Sequence, residues 1–223
     1  MKDIKAFIFD LDGTLIDTEK IYRTVWPKAI KELGYELTDE MYLSLRSLGR
    51  PFVTQMFEKW YGPEFDYDLV RKIRKGYFDE YIAKEGIQVK KGAVELLSYL
   101  RENGIITAIA TATDILRANE YLKMTGLDGY FDRVISATMV AEGKPSPMVY
   151  EYACSELNLK PAECIAVEDA PNGVMSAYRA GMHVIMVPDL SEPDEELEKT
   201  LFLKADTLYH IKEYMIKETV ANG

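Results

Sequence analysis

The chain has 223 residues, 48% of them apolar and 29% charged, with 37 acidic side chains against 27 basic ones and a formal net charge of −10. A chain of this kind can bury a core as one large domain, or as a core with a smaller insertion, without disulfides or a structural metal; disorder, collagen and coiled coil are excluded. The acidic balance argues against a function resting on a basic stripe, so neither nucleic acid nor a membrane surface is expected as a partner.

The N-terminus offers only the short apolar run 4–9, interrupted by Lys5, which is too short for a signal peptide or a membrane span. No other stretch is long and apolar enough either, and a cytoplasmic location is expected. Within that first run, Ala6-Phe7-Ile8-Phe9 stops abruptly at Asp10-Leu11-Asp12-Gly13 and reads as a buried strand ending in an acidic turn. Residues 17–86 then contain no convincing strand. Tyr22, Val25, Ala29 and Leu33, followed by the stretches 41–48, 53–60 and 69–82, place apolar residues at helical intervals. Pro27 predicts a kink or a restart in the first of these helices.

After residue 86 the rhythm changes. Short apolar runs at 105–110, 134–135, 164–167 and 184–187 alternate with helical spacing at 93–102, 115–124, 148–157 and 174–180. Such alternation predicts parallel strands with helices on both faces. The expected fold is α/β: a Rossmann-like parallel-sheet core built from residues 1–16 and 87–223, with an all-helical cap domain inserted at 17–86 and hinges near Asp17 and Gly86. Residues 193–201 and 207–217 read as an acidic surface segment and a closing amphipathic helix. Cys154 and Cys164 make neither a disulfide framework nor a zinc site and read as small core residues in a reducing compartment. His183 and His210 read as structural.

The chemistry-bearing residues collect at strand ends. Asp10 and Asp12 emerge where Gly13 lets the chain turn, and two acids that close push their protonation equilibria apart unless a cation lies between them. Alone they also read as a solvated turn. Thr111 ends the second apolar run, ahead of Ala112-Thr113-Asp114, which read as the opening of a helix; a hydroxyl there is either an anion site or an ordinary cap. Lys144 is fixed between Gly143 and Pro145, with Ser146 placed to cap the next helix and Pro147 in its first turn. Glu168 and Asp169 follow Ile165-Ala166-Val167, with Pro171 opening the helix behind them. Open parallel sheets gather ligands beyond the carboxyl ends of their strands. Together these residues supply what phosphoryl transfer through a covalent intermediate requires. That list comprises a carboxylate nucleophile, a hard divalent cation, for which magnesium fits best, and hydroxyl, amide and ammonium donors for the transferring oxygens. Arg71, Lys72, Arg74 and Lys75 read as a solvated helix face.

Asp10-Leu11-Asp12-Gly13-Thr14-Leu15 resembles the signature of the haloacid dehalogenase superfamily, and Thr111, Lys144 and Glu168-Asp169 stand where its second, third and fourth motifs fall. The helical insertion resembles the cap of the branch that includes β-phosphoglucomutase and phosphoglycolate phosphatase. The resemblance implies that Asp10 is the nucleophile, becoming an aspartyl phosphate, and that Asp12 is the acid and then the base. It implies phosphate binding by Thr111, Ala112 and Lys144. It also implies Mg²⁺ held by Asp10, Asp12 through its backbone carbonyl, and Asp169, with Glu168 beside it or one layer out. In the cap, Arg50 resembles an arginine that faces the substrate in the mutase; Tyr22, Arg46 and Glu19 are further candidates. The implied activity is hydrolysis of a small phosphorylated metabolite, a sugar phosphate or phosphoglycolate-like ester. Nothing in the sequence demands a partner chain, and a monomer is expected. A phosphosugar mutase is the alternative. The mutase carries a histidine five residues after the aspartate that corresponds to Asp17, where this chain has Tyr22, which does not titrate near neutral pH. A metal-independent dehalogenase lacks the second aspartate, present here as Asp12. A phosphorylatable receiver module combines similar residues but is much shorter and has no helical insertion.

Overall fold

The computed structural model of the chain describes residues 3–222. Its centre is a single six-stranded sheet made of β1 (Ala6–Phe9), β2 (Ile106–Thr111), β3 (Arg133–Ser136), β4 (Cys164–Glu168), β5 (His183–Met186) and β6 (Leu203–Lys204). The spatial order is β3-β2-β1-β4-β5-β6, with every pairing parallel. The chain winds outward from β1 to β3, then returns to β4 on the other side of β1. That reversal opens a crevice beyond the carboxyl end of β1, where doubly wound sheets bind ligands.

Four helices, α1 (Glu19–Glu32), α2 (Asp39–Leu45), α3 (Phe52–Tyr61) and α4 (Tyr67–Glu85), separate β1 from the rest of the sheet in sequence. They pack around an aromatic cluster in which Phe57 stacks against Trp26 and Phe65, with ring centres 5.4 and 5.1 Å apart. The two connectors to the sheet run side by side: Asp17 N donates to Gln88 O at 2.8 Å and Lys90 N to Leu15 O at 2.9 Å. The remaining helices, α5 (Ala93–Glu102), α6 (Ile115–Thr125), α7 (Met148–Glu156), α8 (Pro171–Arg179), α9 (Glu195–Glu198) and α10 (Leu208–Asn222), cover the sheet.

Strand alternation sorts the core into two layers. Phe7, Phe9, Ile109, Ile165, Val167 and Ile185 face α5, α6 and α10 and join the insertion's apolar residues. Ala6, Ile8, Ala108, Ala110, Ala166 and Val184 face α7 and α8. The second face is mostly alanine, and small side chains let those two helices approach the sheet closely.

Several local expectations are corrected. Helix α1 continues through Pro27 as one element; Val25, Trp26, Ala29 and Ile30 are buried there, and their packing outweighs one lost backbone hydrogen bond. Helix α2 ends at Leu45, because Arg46 is extended with ψ 134 and Ser47 takes φ 57. The acidic segment near residue 195 folds into α9, whose Leu197 is buried in the α7–α8 layer. Strand β6 has only two residues, too few for any periodicity to announce.

Candidate active site

The sheet register brings the predicted residues to one level. Phe9 pairs with Ile109 on one side and Val167 on the other, so the next residues, Asp10, Ala110 and Glu168, stand abreast at the crevice. Lys144 enters from the loop before α7 and is fully buried. Its ammonium donates to Asp10 Oδ1 at 2.5 Å, to Glu168 Oε1 at 2.6 Å and to the Ala110 carbonyl at 2.9 Å. All three of its protons are used. Tyr150 OH donates to the same Glu168 oxygen at 2.5 Å. Asp169 completes the floor and accepts from Thr14 Oγ1 at 3.2 Å. Gly13, at φ +88, leaves room for it; a Cβ there would collide with the Asp169 carboxylate.

Asp10, Glu168 and Asp169 each offer an oxygen within 4.8 Å of the others. Two oxygens of these carboxylates, Asp10 Oδ2 and Glu168 Oε2, are buried without any hydrogen-bond partner. Burial pushes the Asp10 carboxyl well above its ordinary value although Lys144 pulls the other way. For Asp169, burial outweighs Arg46 and raises it to about 8. Burial works against the Lys144 ammonium too, but Asp10 and Glu168 prevail and hold it above its usual value. Orphaned carboxylate oxygens around one point, beside the raised Asp10 and Asp169 carboxyls, fit a small hard cation such as Mg²⁺, which takes oxygen ligands and would reverse those two shifts.

Asp12 points elsewhere. Its two oxygens accept from Thr18 Oγ1 at 2.6 Å and Thr113 Oγ1 at 2.7 Å, so its carboxylate stays outside the three-carboxylate cluster and faces the cleft. Thr111 is buried at the end of β2 and its hydroxyl accepts from Thr113 N at 3.0 Å. The expectation that 112–114 open a helix is corrected: α6 begins at Ile115 and is capped by Asp114, which accepts from Leu116 N at 3.0 Å. Ser146 does not cap α7. Pro147 holds that position, and the Ser146 carbonyl accepts instead from Ser176 Oγ at 2.6 Å, tying the Lys144 loop to α8.

The insertion reaches into this centre through Arg46, whose side chain is 1% exposed. Its guanidinium bonds Asp169, lies 3.3 Å from Glu19 Oε2 and 3.7 Å from Asp189 Oδ2, and donates to Ser191 Oγ at 3.1 Å. Tyr42 OH donates to Glu19 Oε2 at 2.6 Å. The backbones also touch. Gly49 N donates to Lys144 O at 2.8 Å and Gly143 N to Arg50 O at 2.7 Å. A Cβ on Gly49 would lie 2.5 Å from Gly143 Cα, so this approach demands glycine on both sides.

The rest of the insertion shapes a cavity of about 630 Å³ that opens onto Asp10 and Asp12. Tyr22, Glu19 and Arg46 line it, as do Thr111 and Ala112. Arg50 does not; its half-exposed side chain pairs with Asp68 and lies over Tyr67. The run Arg71, Lys72, Arg74 and Lys75 is not merely a solvated face, because all four side chains line the cavity. Sequence reasoning also passed over Asp189, just beyond β5, where the rule that sheets present ligands at strand ends would have found it. Thr18, Thr113 and Tyr150 carry no signal until the fold brings them to a carboxylate.

Burial has a thermodynamic signature here. A carboxyl whose pKa is raised in the folded state keeps a proton that the unfolded chain releases near pH 4. Folded stability without metal is therefore expected to fall as pH rises from about 4 towards the Asp169 value of about 8, with Glu19, pushed up to about 6 by burial, contributing in the lower part. Arg46→Gln removes the guanidinium that favours the ionised forms and steepens the loss. Thermal midpoints in chelator at pH 5, 6, 7 and 8 check both; a flat profile for wild type contradicts the account.

Comparison with known proteins identifies an enzyme of the phosphatase kind. A family model for haloacid dehalogenase-like hydrolases matches residues 4–181. Hexitol phosphatase A of Escherichia coli (strain K12) is 35% identical over 196 residues, covering 85% of this chain and 88% of that protein. A phosphorylated carbohydrates phosphatase of Thermotoga maritima is 28% identical over 186 residues, covering 82% and 84%. Among solved structures, β-phosphoglucomutase from Clostridium difficile has the same fold, with a TM-score of 0.81 at 24% identity and 96% of each chain covered. The chain belongs to the haloacid dehalogenase-like hydrolase family, on the branch whose members pair a parallel-sheet core with a helical cap. Among the described residues no helix is long and apolar enough to cross a membrane.

Proposed function

We propose that the protein is a Mg²⁺-dependent phosphatase that hydrolyses a small phosphorylated sugar or polyol through an aspartyl phosphate on Asp10. The reading rests above all on the three-carboxylate cluster with its two orphaned oxygens beside a fully buried lysine. Asp10, Glu168, Asp169 and the Asp12 backbone carbonyl would hold the cation. When bound, it would offset the repulsion between the Asp10 carboxylate and an anionic ester. Asp10 attacks phosphorus, and Lys144, already on its Oδ1, aligns the carboxylate and sets its positive charge beside the transferring oxygens, which Thr111 and the Ala112 amide bind. Asp12, steadied by Thr18 and Thr113, gives a proton to the leaving oxygen and later takes one from the water that cleaves the acyl phosphate. Residues 17–86 act as a lid, pivoting where the paired connectors near Asp17 and Gln88 meet. The relatives' names point to the substrate class: one acts on hexitol phosphates and another on phosphorylated carbohydrates.

The expected result is phosphate release from p-nitrophenyl phosphate and hexitol phosphates with Mg²⁺, lost in EDTA and restored by excess Mg²⁺. Turnover unchanged in chelator contradicts the metal site. A hexose 1-phosphate supplied with a trace of bisphosphate should yield free phosphate; an isomeric hexose phosphate would mark a mutase. Tyr22 favours hydrolysis, since burial raises its pKa further and its hydroxyl meets Tyr121 OH at 3.3 Å.

A further inference from the structure

The insertion's share of the cavity wall is unusually basic for a chain of net charge −10. On α4, Val70, Arg74 and Phe78 recur every four residues and share one face. Val70 and Phe78 are fully buried in the core, so Arg74 occupies a stripe on which an apolar side chain would normally pack. Its guanidinium lies 4.9 Å from the centre of the Tyr22 ring and 4.6 Å from that of Trp26, on the wall of the cavity that holds Asp10. Its basic neighbours are only partly offset: Arg71 lies near Asp68, which also takes Arg50, while Lys75 and Arg117 share Asp79, so this wall keeps a net positive charge. Among the described residues Arg74 has no carboxylate partner, and its Nε–H is buried without an acceptor. Aromatic faces return only part of what a guanidinium loses on leaving water. A cation held rigidly by two rings, with a donor left over, is prepared for an anion that arrives in the cavity.

We propose that Arg74 reads the non-reacting end of the substrate, and that this end carries a second anionic group, a phosphate or a carboxylate. The proposal rests on the phosphatase reading for where the first phosphate lies, at Asp10. The acidic floor repels a second anion, and the basic wall receives it, so the two ends of the substrate are told apart by charge. The guanidinium's planar fork suits either anion with two parallel hydrogen bonds.

The experiment compares a hexose 6-phosphate, a hexose 1,6-bisphosphate and a six-carbon phosphorylated sugar acid. Wild type with Mg²⁺ is expected to show a KM for at least one doubly anionic ester about 10- to 100-fold below that of the monophosphate, the factor carried by hydrogen bonds to a charged group. Whichever ester it is identifies the anion. Arg74→Met, which keeps the apolar stem, should erase the preference through KM with kcat little changed, and Arg74→Lys should restore part of it. Equal KM values in wild type overturn the proposal, as does an Arg74→Met variant that loses thermal stability and raises every KM alike. Binding is read separately from turnover through Trp26 emission in an Asp10→Asn, Trp60→Phe background, titrated with the same three esters. Should wild type release phosphate from no ester, the hydrolase reading fails; emission that responds to a doubly anionic ester and no longer does so with Arg74→Met still upholds the anion site, and emission that responds to none overturns it.

Discussion

Asp10→Asn is expected to lower kcat for phosphate release by at least about 10⁴-fold while leaving the fold standing. Asparagine keeps the shape of the side chain and an oxygen for the Lys144 ammonium, but its amide does not attack phosphorus. The substitution should not destabilise the protein. Asp10 is 2% exposed, and burial drives its carboxyl well above the usual range, so removing its charge relieves a cluster of like charges. In chelator the thermal midpoint of the variant should equal or exceed that of wild type. Full turnover in Asp10→Asn would remove the residue as nucleophile. The companion change Asp12→Ala separates the two aspartates: aryl phosphates, whose leaving group needs little protonation, should suffer less than hexitol phosphates. An equal loss on both would count against Asp12 as the acid.

What was legible beforehand follows from how each feature is encoded. Strands β1 and β4 announce themselves because burial on both faces requires an unbroken apolar run, which β2 interrupts only at Thr107, and the runs end at the polar residues that enter the site: Asp10, Thr111, Glu168. Their meeting is a matter of register, so strand ends that look unrelated in sequence become neighbours once β1 is paired on both sides. Caps were misjudged. Asp114 and Pro147 take the positions given to Thr111 and to Ser146, since a loop that closes over a ligand site has several residues able to serve. The insertion was the least transparent part. Arg46, Arg50 and Arg74 look alike in sequence, yet one is sealed on Asp169, one lies half-exposed on Asp68 and one is stacked on two rings. Only packing distinguishes them, because helical spacing fixes a face of α4 but not what stands opposite it.

Lys144→Met should be the most damaging single change to stability and activity together. The ammonium compensates Asp10 and Glu168 at 2.5 and 2.6 Å in a site where neither it nor they meet solvent. Methionine fills the channel but leaves two carboxylates facing one another in low dielectric. Removing one partner of a buried ion pair costs about 3–5 kcal/mol, because the remaining charge is uncompensated. Those carboxylates escape part of the cost by taking protons, which sets the sign of the pH dependence. Without the ammonium the Asp10 carboxyl rises further above its unfolded value, so the variant keeps most stability near pH 5 and loses it as pH rises towards 8. Mg²⁺ should recover some of the loss by binding the folded form alone. Activity should not recover with it: the transferring oxygens lose a neighbouring cation and Asp10 its alignment, at a cost of about 10²- to 10³-fold in kcat. Lys144→Arg offers no rescue, since a longer planar head has no room in a fully buried slot gripped by Asp10, Glu168 and the Ala110 carbonyl. Guanidinium denaturation at pH 5 and 8, with and without Mg²⁺, measures the first effect and single-turnover phosphate release the second. A Met variant as stable as wild type at pH 8 in chelator would mean that Asp10 and Glu168 are already neutral there, and would dismantle the electrostatic account of the site.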